Sequence, residues 1–304
     1  MRITRTGLKV LIPRMAIFCL FLLVFLGSAR ADQADLANLT DQQKALLEEH
    51  VFGGLPSQEN IYIRNGYVLS YNPATKTPKW VAYHVKPEYR DTPSRKGRFA
   101  SFLNDPDIEG EAKDADYRGL FTSRGYARGH LAPYAVMGGD RDGDGKLAED
   151  DEDDALTVRQ SNYMSNIAPQ HHYGFNGRPG LWWSLERWVQ DELVKKQKKE
   201  IWVFAGCIFG PGEHEKVGPG NDIWVPAVFY KIVIMENTDT GVPTVLAFLF
   251  PHHRSAHGSI EDFLVNIDVI EAVAGVDFFS VLDDPTEGWL EDQDTWEVWK
   301  KSFM

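Results

Sequence analysis

Between Arg128 and Glu186 the chain carries an imidazole at His130, a guanidinium at Arg128, amides at Asn166, Gln170 and Asn176, and a carboxylate at Glu186. They sit in two short runs, Tyr126-Ala127-Arg128-Gly129-His130-Leu131-Ala132-Pro133 and Ser165-Asn166-Ile167-Ala168-Pro169-Gln170, followed by Asn176 and then Leu185-Glu186. Together these groups suit hydrolysis of a phosphodiester with one divalent metal. The imidazole takes a proton from water, an amide and a carboxylate hold a hydrated ion, and the guanidinium offsets phosphate charge. An unperturbed imidazole near pKa ~6.5 is largely neutral at pH 7, as a base must be. Asn166 and Gln170 are candidates to orient phosphate or metal-bound water.

A second constellation is acidic. Asp140-Arg141-Asp142-Gly143-Asp144-Gly145-Lys146-Leu147-Ala148-Glu149-Asp150-Asp151 has acids at the first, third and fifth positions, Gly at the sixth and an acid at the twelfth. That is the pattern of an EF-hand calcium loop, in which Asp140, Asp142, Asp144, the Lys146 carbonyl and Asp151 would be ligands. It departs in having Asp151 in place of a longer Glu, and Pro133 with Gly138-Gly139 argue against a preceding helix. The loop joins the His130 run to the Asn166 run. A solvated acidic insertion is the alternative.

The elements that must position these residues alternate between strand and helix patterns. Tyr62 to Tyr71 and Trp80 to Val85 read as a hairpin, and strands resume at Ile201 to Phe209, Trp224 to Met235 and Val245 to Phe250. Helical spacing marks Asp32 to His50 with Asp41 as cap, Leu181 to Lys195 and Ile260 to Ala274. In the second of these, Trp182, Leu185, Val189 and Leu193 share a face and carry Glu186 with them. No repeat or linker divides the chain. The expectation is an α+β fold: a mixed sheet core flanked by helices, as a single domain over residues 32–304.

Residues 1–31 read as a secretory signal, with Arg2, Arg5, Lys9 and Arg14 before an apolar run and Ala29-Arg30-Ala31 at the cleavage site. An uncleaved anchor is the alternative. Loss of that segment removes five cations, including Arg30, and takes the formal charge from -12 to -17. So acidic a chain is a poor DNA-coating protein, because nonspecific affinity comes from Lys and Arg on phosphates; an enzyme with one local basic cleft meets no such objection. Cys19 leaves with the signal, so Cys207 has no intramolecular partner and reads as a core thiol. Export implies a periplasmic or extracellular location, with no membrane association after cleavage.

The Tyr126 to Pro133 run resembles the active-site signature of the DNA/RNA non-specific endonucleases. The resemblance extends in order over residues 50–285, through Gly66 to Tyr71, Trp80 to Tyr83, Lys96-Gly97-Arg98-Phe99 with Asn104-Asp105-Pro106, Val225-Pro226 and Ala247 to Phe250. It implies a ββα-metal motif, with His130 as general base, Arg98 and Arg128 compensating phosphate charge, Asn176 as the direct ligand of Mg²⁺ (or Mn²⁺) and Glu186 as a carboxylate on its water shell. The implied substrates are DNA and RNA, cut with little sequence preference to leave 5′-phosphates. Two departures stand out. Ala127 replaces an acidic residue of the family pattern, and Asn176 to Glu186 is two residues longer than usual, with Gly177-Arg178-Pro179-Gly180 absorbing the excess. A phosphodiesterase for another substrate and a catalytically weakened calcium-dependent binding protein are the rival readings. The oligomeric state is left open, a homodimer included.

Overall fold

Period-two patterning decides how the strands pack. Along Val228–Met235, Phe229, Lys231, Val233 and Met235 point to one side and Tyr230, Ile232 and Ile234 to the other, and all seven are buried. A sheet of such strands must be covered on both faces. The computed structural model describes residues 33–236 and 243–303. The signal segment expected over residues 1–31 lies outside the described residues.

The strands are β1 (Ile61–Ile63), β2 (Val68–Asn72), β3 (Thr77–Val85), β4 (Tyr126–His130), β5 (Ile167–His171), β6 (Ile201–Ile208), β7 (Lys216–Val217), β8 (Ile223–Trp224), β9 (Val228–Met235), β10 (Thr244–Pro251) and β11 (Leu264–Val265). The α-helices are α1 (Asp41–His50), α2 (Leu120–Arg124), α3 (Glu152–Gln160), α4 (Leu181–Trp188), α5 (Ile267–Ala274), α6 (Asp284–Glu291) and α7 (Thr295–Phe303). Seven strands form the main sheet in the order β1-β2-β3-β6-β9-β10-β11. The fold is α+β as expected, and where a mixed sheet was anticipated every pairing in it is antiparallel.

One face of this sheet packs Tyr83, Val203, Phe229 and Val233 against Trp182, Leu185, Val189 and Leu193 of α4 and its wider-wound continuation over Val189–Lys196. On that face Trp299 of α7 also packs, its ring 4.9 Å from that of Trp188 at the end of α4. The other face packs Trp80, Phe204, Tyr230 and Ile232 against Ile267 and Ile270 of α5, against Phe278 between α5 and α6, and against Leu290 of α6.

Several boundaries differ from the sequence reading for local reasons. The first helix begins at Asp41, not Asp32, because Thr40 and Gln43 form a reciprocal capping box; Thr40, not Asp41, is the cap. Tyr62 to Tyr71 splits into β1 and β2, which pair as a hairpin. Trp224 to Met235 breaks at Pro226 into β8 and β9, and Ile260 to Ala274 becomes a 3₁₀ turn, β11 and α5. Cys207 is buried, and burial pushes its thiol pKa up, so it is an inert core residue.

Candidate active site

The ribbon β4–β5 stands apart from the main sheet, with Tyr126 opposite His171 and His130 opposite Ile167. Helix α4 follows it, which gives the ββα order. The strands can approach closely because residue 129 lacks a side chain: a Cβ there would lie 2.1 Å from Gln170 Cδ. The turn into α4 is equally tight, since a Cβ at Gly180 would meet the Phe175 carbonyl oxygen at 2.3 Å. This compact turn leaves Asn176 and Glu186 on one cleft.

That cleft has a volume of about 370 Å³, and Arg95, Arg128, His130, Asn176, Glu186 and Trp183 are among its walls. His130 Nε2 donates to Asn162 Oδ1 at 3.1 Å, and Arg95 Nη2 donates to the same oxygen at 2.8 Å. Asn162 Nδ2 in turn donates to the Phe99 carbonyl at 3.2 Å. Because Arg95 only donates and the Phe99 carbonyl only accepts, the amide orientation is fixed, the proton of neutral His130 sits on Nε2, and Nδ1 keeps the lone pair. Burial, together with the Arg95 charge, pulls the His130 pKa down to about 3. The imidazole is therefore neutral across the physiological range. Arg128 is held by an ion pair from Nε to Asp114 Oδ1 at 2.7 Å and lies 5.2 Å over the Phe102 ring.

On the opposite wall Asn176 Nδ2 donates to Gln170 Oε1, which leaves Asn176 Oδ1 as the acceptor for an incoming cation. Glu186 is 18% exposed and accepts from Lys231 Nζ at 3.1 Å, while Lys231 is 1% exposed and lies 3.7 Å over the Trp182 ring. Burial raises the Glu186 pKa and lowers that of Lys231, and each charge opposes the other's shift. One amide oxygen and one partly exposed carboxylate suit Mg²⁺ or Mn²⁺, which keep most of their waters.

A family model for the DNA/RNA non-specific endonucleases matches residues 48–285. The chain belongs to that family. Among its relatives, "Nuclease EXOG, mitochondrial" of Xenopus laevis is 27% identical over 83% of this chain and 66% of its own length. "Nuclease" of Serratia marcescens is 26% identical over 75% of this chain and 78% of its own. "Nuclease C1" of Cunninghamella echinulata var. echinulata is 28% identical, covering 79% and 90%. In fold, the chain is similar to one from the crystal structure of an EndoG/EndoGI complex, with a TM-score of 0.64 at 24% identity over 81% of this chain and 94% of that one. Membership places the protein among divalent-metal-dependent nucleases, a class of phosphodiester hydrolases acting on nucleic acid.

As a member of this endonuclease family the protein gathers four of the expected residues, His130, Arg128, Asn176 and Glu186, on one cleft. Arg98 is not among them. Its Nη1 pairs with Glu152 Oε2 at 2.6 Å and its Nη2 donates to the Ala148 carbonyl at 2.6 Å, so its head is clasped by the acidic loop. Gly97, with φ +54°, begins a 3₁₀ turn over Gly97–Phe99, and Arg95 on the near side of that turn faces the cleft instead. Asn166 is also withdrawn: it is fully buried, accepts from Ala132 N and donates to the Ala132 and Ser161 carbonyls. Gln170, likewise buried, supports Asn176 rather than lining the cleft. Ala127 lies opposite Gln170 on the ribbon. His171 stacks on Tyr126 with His252 tilted beside it, while His172 meets Phe121 edge-on, so the adjacent histidines point apart. Three residues that sequence reasoning passed over are Arg95, Asn162 and Lys231.

Proposed function

We propose that the protein is an exported endonuclease, a single nuclease domain after its signal segment, that hydrolyses DNA and RNA with little sequence preference. The observation that carries this reading is His130, held through Nε2 by Asn162 with Nδ1 free to act as base, on the cleft that also holds Asn176, Glu186 and the guanidinium groups of Arg95 and Arg128. His130 Nδ1 takes the proton of a water that attacks phosphorus in line. Arg95 and Arg128 donate to the non-bridging oxygens and offset the charge that grows on them. Asn176 and Glu186 would hold Mg²⁺ or Mn²⁺, which supplies Lewis-acid stabilisation of the leaving 3′ oxygen when bound. Lys231 keeps Glu186 paired in the wall. The products would be 5′-phosphate ends.

The test is cleavage of supercoiled plasmid and single-stranded RNA with Mg²⁺, with Mn²⁺ and with EDTA, beside His130→Ala and Arg95→Ala. We expect cleavage of both substrates that EDTA abolishes, a loss of ~10² to 10⁴ in His130→Ala and of ~10² to 10³ in Arg95→Ala. Undiminished cleavage by folded His130→Ala removes the assigned base, and hydrolysis of simple phosphodiesters without nucleic acid cleavage moves the assignment to a different substrate.

A further inference from the structure

Asp140, Asp142 and Asp144 place carboxylate oxygens within 4.8 Å of one another. A second observation lies beneath them. Asp154, on α3, is 3% exposed, and its Oδ2 has no hydrogen-bond partner among the described residues. Its Oδ1 accepts from the backbone N of Arg141 at 3.1 Å, between the first and third loop positions, and the anionic charges bearing on it are those of Asp151, Asp142 and Asp140. A buried carboxylate with one bare oxygen, its other oxygen bonded to the loop backbone and with the charges of Asp151, Asp142 and Asp140 bearing on it, is costly unless a cation joins it. Lys146 already bends its ammonium onto Asp144. Asp151, expected as the twelfth-position ligand, uses Oδ1 to cap α3 through Asp153 N at 2.7 Å. Asp154 therefore offers the inner oxygen that the shorter Asp151 does not supply.

The loop is tied to the cleft by a contact at each step. Arg98 donates to the Ala148 and Glu149 carbonyls and pairs with Glu152. Its neighbour Phe99 packs on Ala148, Ala155 and Val158, and the Phe99 carbonyl receives Asn162 Nδ2. Asn162, just beyond the end of α3, is the residue that holds both His130 and Arg95.

We propose that the loop of Asp140, Asp142 and Asp144, with Asp154, binds Ca²⁺, and that its occupancy sets the position of His130 and Arg95 through Arg98, Phe99 and Asn162. Ca²⁺ fits because it takes six to eight oxygen ligands in flexible geometry, whereas Mg²⁺ demands a near-ideal octahedron. The cation site stands by itself; the effect on turnover rests on the nuclease reading.

Calorimetric titration of Ca²⁺ into the full chain, with Mg²⁺ constantly present at millimolar concentration, tests the site. We expect binding in the range ~10⁻⁷ to 10⁻⁵ M in the wild type and in Arg98→Ala, and at least about tenfold weaker binding in Asp142→Ala and in Asp154→Asn. Asp144→Asn serves if circular dichroism shows either of these misfolded. No saturable heat in the wild type, or heats in the acid variants equal to that of the wild type, overturns the site. Coupling is read from cleavage rate at fixed Mg²⁺ and from the His130 imidazole resonance. Both should respond to micromolar Ca²⁺ in the wild type, the rate by about 5- to 10-fold, and neither should respond in Arg98→Ala. Ca²⁺ binding that leaves the His130 resonance unmoved overturns the coupling. A protein that cuts nothing but shifts that resonance refutes the nuclease reading and leaves the coupling intact.

Discussion

Asn162→Asp isolates the electrostatics of the base from its geometry. The replacement keeps an acceptor for His130 Nε2, now 3.1 Å from Oδ1, and for Arg95 Nη2, at 2.8 Å, but adds a negative charge. Two unit charges about 4 Å apart interact by about 4 kcal/mol at an effective dielectric of ~20, equivalent to about 3 pKa units. Arg95 shares the new carboxylate, which leaves about 1 to 2 units for His130. The His130 pKa should rise from about 3 to about 4 or 5. The sign follows from the base being active when neutral: the acid limb of kcat/KM moves to higher pH, while the alkaline side is unchanged. The assay is kcat/KM for a fluorogenic oligonucleotide from about pH 2.5 to about pH 8 at saturating Mg²⁺, beside NMR titration of the His130 ring over the same range. A wild-type limb near pH 6.5 would refute the claim that burial and Arg95 depress this imidazole. An unmoved limb in folded Asn162→Asp would refute the assigned contact.

Lys231→Met leaves the Glu186 carboxylate in the cleft wall without its cation, at a cost of about 3 kcal/mol, the lower end for a broken buried pair because Glu186 is 18% exposed. Urea unfolding should show that loss, and Lys231→Met with Glu186→Gln should recover part of it without recovering cleavage; equal stability of wild type and single variant would mean the pair carries no charge. His50 and His252 are also depressed to about 3, chiefly by burial. Between that value and the unfolded pKa of ~6.5 the unfolded chain binds the extra protons, so stability is fully present above pH ~6.5 and falls toward pH 3 by about 1.4 kcal/mol per pH unit per group. Urea midpoints flat from pH 6.5 to pH 4 would contradict it.

That His130, Arg128, Asn176 and Glu186 share a cleft was legible because short-range order carries them: a strand places Arg128 and His130 two apart on one side, and a helix face presents Glu186. Arg98 falls outside the cleft lining because it sits within a 3₁₀ turn that Arg95 precedes, and only the turn's direction decides which guanidinium meets the cleft. Asn166 looked like a ligand-facing amide, yet its hydrogen-bonding atoms are consumed by the backbone of Ala132, just after His130, and of Ser161, at the end of α3. Asn162 carried no signal of its own beyond lying in the same turn. Lys231 did carry one: a lone cation inside the apolar run Val228–Met235 must find a counter-charge if that strand is central. Both sheet faces were foreseeable from strand patterning; the helices α6 and α7 were not, because their amphipathic stretches lie beyond the region of resemblance.

That last stretch changes where the folding unit ends. The family match stops at residue 285, but Trp299, 7% exposed, packs on Trp188 and Phe248 from α7. Burial of an indole covers roughly 150 to 250 Å², worth about 4 to 6 kcal/mol at ~25 cal/mol per Å². A fragment trimmed at the family boundary would bare an aromatic seam on the very helix that presents Glu186, so purified fragments of that length should clump before they lose their sheet.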